Sequence, residues 1–449
     1  MNRFSEFWIE SPIAAHAGRI EVTHILRFAL FMAVFLLAWI SLQPFADLGN
    51  PTIVDTGRGL TYALFGLLAA LALLLVTRRH AAALRSFVTT PYILFGCWIC
   101  INLVMSRDPG SSTTRFVLTA TVFVVAATVL LLPSTERELH RWLGVAVLTF
   151  LAVCYLGVLM TPGLAIHQQT DVAEYHLAGD WRGVFDHKNT ASAIMVMLIF
   201  VGVYLMRSGA LLAGPLVTAL AAVFLLFSGG KTATGLCIFI FVLVELVAAA
   251  RSFRLRAVLC VAPLIVLNLL SIGTVVSPTL DAISRLLPID TSFTGRDEVW
   301  KFAFASIAQR PLFGWGYFAF WGSNYVRDVD PGEAINDWVV VASHSHNGYL
   351  DSALTLGIPG LLLVLWLLVI APLRNFHQAA AHGQATPLGK LFLGIWMFGI
   401  YLASLESFFI DRADPMWFTF LIAIIGLHYL ARFRTGDAAA QPSGAAVKA

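Results

Sequence analysis

The sequence predicts an all-α, polytopic integral membrane protein, and three observations carry that prediction. Of its 449 residues, 58% are hydrophobic and 12% charged, with a mean hydropathy of +0.79, whereas an ordinary soluble domain is roughly 25% charged. Twelve apolar runs recur between residues 25 and 431, most of them near the roughly 20 residues that a helix needs to cross a bilayer. Basic and acidic residues also segregate between alternate connections, as the positive-inside rule expects. The five cysteines, Cys97, Cys100, Cys154, Cys237 and Cys260, all fall inside apolar runs. Hydrocarbon disfavours the thiolates that metal ligation and redox exchange need, so the Cys97-x-x-Cys100 spacing reads as accidental.

The expected spans lie near residues 25–43, 60–77, 91–106, 114–132, 141–160, 189–206, 210–227, 231–250, 256–276, 346–371, 389–410 and 414–431. No cleavable leader pattern precedes the first, which is therefore kept as a span. The joints "RSGA" (Arg207–Ala210) and "SGGK" (Ser228–Lys231) read as helix-breaking turns. With the N-terminus inside, 17 of the 29 Lys and Arg but only 7 of the 26 acidic residues fall on the inner side. Both termini are thus expected in the cytoplasm. Residues 1–24 form a cytoplasmic N-terminal segment, 25–431 one membrane domain, and 432–449 a disordered Ala/Gly/Pro/Ser-rich tail.

Two outer connections are long: Thr161–Lys188 and the 277–345 loop between spans nine and ten. Long loops are usually functional. In the larger one, "TGRDEVWKFAFASIAQRP" (Thr294–Pro311) predicts a helix, with Thr294 as N-cap, Trp300, Phe304 and Ile307 on one face, and Pro311 as the stop. That face is expected on the membrane interface or capping the bundle. "LFGWGYFAFWG" then reads as an interfacial or substrate-lining segment. No internal repeat is visible.

Charges and imidazoles at the edge of an apolar core are costly and mark candidate sites. Three outer clusters qualify: Arg182, His187 and Lys188 in "GDWRGVFDHKN"; Arg296 at the start of the loop helix; and His344/His346 at the mouth of the tenth span. Arginine forks and helix N-termini suit a phosphate, which points to a bound pyrophosphate, and a histidine is a ready general base. Plain alternatives stand beside these. Arg182 and Lys188 could pair with Asp180 and Asp186, Arg296 could be a solvated first-turn residue, the two histidines could form a polar cap or a metal pair, and "DVD" (Asp328–Asp330), which suggests a sugar-nucleotide site, reads better as a solvated loop. Asn347 and Asp351, four apart, are read as one helical face that orients base or acceptor. Glu406, placed in the eleventh span, and Lys231 are further charges able to pair across the bundle.

The run from His346 and Asn347 to Gly357 and Gly360 resembles the signature of the O-antigen ligase and Wzy-type polymerase superfamily. "WRGVFDHKN" and "TGRDEVWKFAFASIAQRPLFGWGY" are most similar to its ExoQ-like exopolysaccharide polymerase branch. The resemblance implies a fold of twelve spans with a large periplasmic loop. It also implies a metal-independent, inverting glycosyltransferase of the GT-C type, without cofactor, in the bacterial inner membrane, with its active site periplasmic. Donor and acceptor would be undecaprenyl-pyrophosphate-linked glycans, with chain-length regulators and export proteins as partners and no nucleic acid. By motif, Arg296 and Arg182 would bind the donor pyrophosphate, helped by Lys188 and His187, while His346 activates the acceptor hydroxyl. Asn347, Asp351, Gly357 and Gly360 would support it, the two glycines letting the helix bend or pack closely. One departure stands out: the family arginine lies three residues before the glycine, a place that Asp180 fills here. Arg182 or Lys188 would then act from a shifted position. The alternatives are a ligase with lipid A-core as acceptor and a transporter or flippase of lipid-linked sugars.

Overall fold

The computed structural model describes residues 17–49, 58–172, 174–286, 295–327, 339 and 342–433. The expectations for Thr294, for Asp328–Asp330 and for the tail beyond Phe433 lie outside these residues. The described chain is helical, without a strand. In order the main helices are α1 (Ala17–Ile40), α2 (Arg58–Arg85), α3 (Thr90–Met105), α4 (Pro109–Val129), α5 (Glu136–Met160), α6 (Lys188–Arg207), α7 (Ala213–Phe227), α8 (Lys231–Ala249), α9 (Phe253–Leu270), α10 (Arg296–Gln309), α11 (Gly348–Ala381), α12 (Pro387–Leu402) and α13 (Pro415–Arg432). Nine helices among the described residues are long and apolar enough to cross a membrane, and α3, α7 and α12 are shorter apolar helices. Together they fall at the twelve expected positions.

Their starts carry local signals. Pro stands in the first turn of α3, α4, α12 and α13, where its missing N–H costs nothing. Asp108, Thr135, Ser252, Thr386 and Asp414 cap helices with side-chain oxygens, satisfying donors that the first turn leaves open. At α5 the cap is reciprocal, because Thr135 Oγ1 accepts from Glu138 N–H while Glu138 Oε2 accepts from Ser134 N–H.

The bundle has a buried centre and an apolar rim. α6, α12 and α13 are nearly enclosed by protein, whereas Leu74, Val104, Leu226 and Val258 on outer helices are exposed, as lipid-facing side chains should be. Between membrane helices close approach rather than water exclusion drives packing. α6 and α7 touch backbone to backbone: a Cβ on Gly202 would stand 2.2 Å from Thr218 Oγ1 and 3.0 Å from Gly214 O.

Several boundaries differ from expectation, α2 for example running on to Arg85 rather than 77. α9 ends at Leu270, short of 276, and two short helical turns follow. α11 starts at Gly348 and runs on to Ala381 through a π-helical turn at Trp366–Ile370. α12 ends at Leu402 rather than 410, so Glu406 lies in a connecting segment and not in a span. Irregular backbone at this depth is tolerated because protein covers it: Ala403, Ser404 and Phe408 are buried. Gly295, with φ 82°, stands at the N-cap place of α10.

α10 packs on α11, where Trp300, Ala303 and Ile307 form a small core with Leu350, Ala353 and Leu354. The loop helix therefore caps the bundle.

Candidate active site

Because successive spans reverse direction, the starts of α6 and α11, the end of α12 and the loop helix α10 meet at one face. Glu406 is where they converge. Its Oε1 accepts from Arg296 Nη2 at 3.1 Å and from Asn189 Nδ2 at 2.9 Å, and its Oε2 lies 3.3 Å from His346 Nδ1. Arg296 Nη1 also donates to Leu405 O. One carboxylate thus holds a side chain from each of the three motifs. Burial alone would raise its pKa, but Arg296 and His346 overcome that and hold it below the usual carboxylate range. A neutral His346 with its Nδ1 facing Glu406 would carry its proton there and leave Nε2 as an acceptor.

His346 is held in a left-handed backbone (φ 55°), which costs on the order of 1–3 kcal/mol for a non-glycine residue and persists only where neighbours impose it. Those neighbours are identifiable. Trp300 Nε1 donates to Ser345 O at 2.8 Å, and Asp351 accepts from Ser345 N–H at 3.0 Å and from Trp321 Nε1 at 2.8 Å. Asn347 caps α11 by accepting from Tyr349 and Leu350 N–H, while its Nδ2 donates to Ser404 O at 2.9 Å and Asn268 Oδ1 at 3.2 Å. Asn347 is therefore the N-cap of the helix whose first turn carries Asp351, and both side chains hold the segment around His346. His344 lies beside His346 with ring centroids 4.1 Å apart, and its Nδ1 accepts from His346 N–H. Burial lowers its pKa to about 3, so it is neutral at ordinary pH.

The helix below is broken at Gly357 (φ 71°, ψ 176°), where a Cβ would stand 2.0 Å from Leu312 O. Pro359 removes one more helical donor. The carbonyls so freed find other partners, as they must in an apolar setting. Leu354 O accepts from Trp315 N–H, Thr355 O from Gly316 N–H and Asn102 Nδ2, and Leu356 O from Trp98 Nε1. "PLFGWG" is thereby fastened along the break. Gly360 leaves room for the same indole, with a built Cβ 2.8 Å from Trp98 Nε1.

The second motif is arranged differently from expectation. Arg182 is fully buried, with Nη1 on Phe185 O at 3.0 Å and Nη2 on Ala46 O at 2.6 Å. Burial lowers its pKa, against Asp171, Asp186 and Asp47. It braces the loop and does not face an open site. Lys188 Nζ pairs with Asp180 Oδ2 at 2.5 Å, not with Asp186, and His187 Nε2 pairs with Glu174 Oε2 at 2.7 Å while its Nδ1 caps α6 at Asn189 N–H. In the expected electropositive cluster, His187 and Lys188 are matched by carboxylates and Arg182 by backbone carbonyls. Lys231 is exposed at the start of α8. Asn189, adjacent to the named residues, was not singled out in the sequence, although an asparagine in the first turn of a span after His-Lys was a signal. Glu406 was noted only as a charge, because its partners lie 60, 110 and 217 residues away.

A polytopic helical membrane protein with a polar centre at one face is the class that this geometry defines. Residues 194–365 match the O-antigen ligase family by sequence, a stretch containing Arg296 and His346 but not Arg182, Lys188 or Glu406. Over 224 residues the chain is 28% identical to a protein of Rickettsia felis named "Putative polysaccharide ligase", covering 44% of this chain and 53% of that protein. The chain thus spans about half the length of that relative. Both matches support the O-antigen ligase and Wzy-type polymerase superfamily for this chain.

Proposed function

We propose that the protein polymerises undecaprenyl-pyrophosphate-linked oligosaccharides into a surface or exopolysaccharide by inverting glycosyl transfer. The observation that carries the proposal is the gathering of Asn189, Arg296 and His346 on Glu406. His346 Nε2 takes the proton of the acceptor hydroxyl, and the oxygen bonds to the anomeric carbon from the side opposite the pyrophosphate. The bond to the pyrophosphate oxygen breaks with its electron pair. Direct displacement inverts the configuration. Arg296 uses two N–H groups on Leu405 O and Glu406, and its remaining donors stabilise the charge on the leaving group. Lys188, which is part-buried, is better placed than the fully buried Arg182 to assist.

The test is His346→Ala in cells, following polymer length and the lipid-linked repeat. Loss of polymer with accumulation of single repeats on the site face supports the proposal. Accumulation on the opposite face would favour transport. A ligase is the second reading, favoured by the names of the matched family and relative, and it is distinguished by product: glycan moved onto lipid A-core rather than polymer still on its lipid carrier.

A further inference from the structure

Two adjoining chambers open beside the histidine junction. The inner one, of about 330 Å³, is walled by Phe318, Trp321, Asp411 and Arg412, with His344 also in its wall. The outer one, of about 440 Å³, reaches Trp315 and Tyr325 and shares Arg115, Phe318 and Trp321 with the first. Both fall within the roughly 300–1,000 Å³ of ligand sites. Their walls come from distant parts of the chain: the start of α4, the segment after α10 and the connection between α12 and α13.

The lining selects a class of ligand. Arg412 Nε donates to Asp411 Oδ1 at 3.0 Å and its guanidinium lies 5.2 Å over the Phe318 ring, while Arg115 donates to Phe318 O. Across the two chambers Arg107, Arg115 and Arg412 are matched in number by Asp108, Asp351 and Asp411, so the walls carry no excess of positive charge for a strong anion such as pyrophosphate. Arg115, Asp351, Asp411 and Arg412 in the inner wall would also set charged groups against an acyl chain. Sugar rings present a C–H face that rests on an aromatic ring, and hydroxyls that both donate and accept. Phe318, Trp321, Asp411 and the guanidinium edges offer the matching surfaces.

We propose that the two chambers form the acceptor-glycan cleft, with the reacting sugar at the His344 end beside His346 and the following sugars extending toward Tyr325. This rests on the proposed glycosyl transfer. The test uses the full chain in detergent and, as probe, phosphate-free oligosaccharides of a few sugars released by mild acid from the surface polysaccharide of the cells that make it. Binding is read by tryptophan fluorescence, since Trp315 and Trp321 wall the cleft. Asp411→Asn and Arg412→Gln, each checked for wild-type melting, should weaken binding about tenfold or more, the loss expected for a charged hydrogen bond. If one fails to fold, Arg115→Gln, on α4, takes its place. Unchanged affinity in the folded variants overturns the cleft. So does the absence of binding to a wild-type chain that still polymerises in cells, an outcome that leaves the polymerase proposal intact. Conversely, weakened binding with polymer length unaltered in His346→Ala would sink the base role of His346, on which the proposed transfer rests, and keep the cleft.

Discussion

At His346 a left-handed backbone, a carboxylate and a neutral neighbouring imidazole coincide. Glu406 gives the arrangement its direction, so Glu406→Gln should leave a foldable chain whose transfer rate falls by roughly 100-fold or more, within the range for disabling general-base catalysis. Glu406→Ala should also destabilise, by roughly 1–3 kcal/mol, because part-buried Arg296 would lose its carboxylate partner. Transfer assays and melting in detergent separate the two effects. His344 supplies a pH test. Its folded pKa of about 3 lies below the ordinary 6.5, so the unfolded chain binds the extra proton between these values. Stability from this group is complete above about pH 6.5 and is lost as the pH falls toward 3. Melting temperature should therefore drop with acid across that window, and His344→Gln should flatten the slope. The histidines were legible because imidazoles beside an apolar run are costly. Glu406 as their centre was not, because no local pattern in "SLESFF" shows which distant cations reach it.

Among the elements, the broken helix α11 is the most constrained. Its residues "TLGIPG" place Gly357 where only glycine is comfortable and Pro359 where a donor is missing. Gly357→Ala should cost at least about 1–3 kcal/mol from backbone conformation alone, and more from the contact with Leu312 O. Thermal unfolding measures it, and a wild-type melting temperature would contradict the account. Asn347→Ala should cost about 0.5–2 kcal/mol as a lost cap, with an added penalty at Ser404 O. Span positions were readable because hydropathy dominates them. Their ends were not, where residues such as Ala403 and Phe408 are as apolar as a span yet fold as a protein-covered turn.

For the molecule as a whole, twelve apolar helices among the described residues bring both ends of the described bundle to the face opposite the site. The basic-residue asymmetry predicts that the site face is periplasmic. In a chain freed of its native cysteines, Tyr175→Cys should react with an impermeant reagent added outside intact cells, and Leu211→Cys only after permeabilisation. Both positions are exposed, at 65% and 76%, and the reverse labelling pattern would contradict the orientation. Arg182 marks the limit of reasoning by motif. Its residue type and place suggested a phosphate ligand, while the fold spends its donors on Phe185 O and Ala46 O. The most direct test of the central claim follows lipid-linked products in membranes carrying wild-type, His346→Ala or Glu406→Gln chains at equal abundance. The account predicts long products for the wild type and accumulated single repeats for both variants. Full-length product from His346→Ala would contradict it.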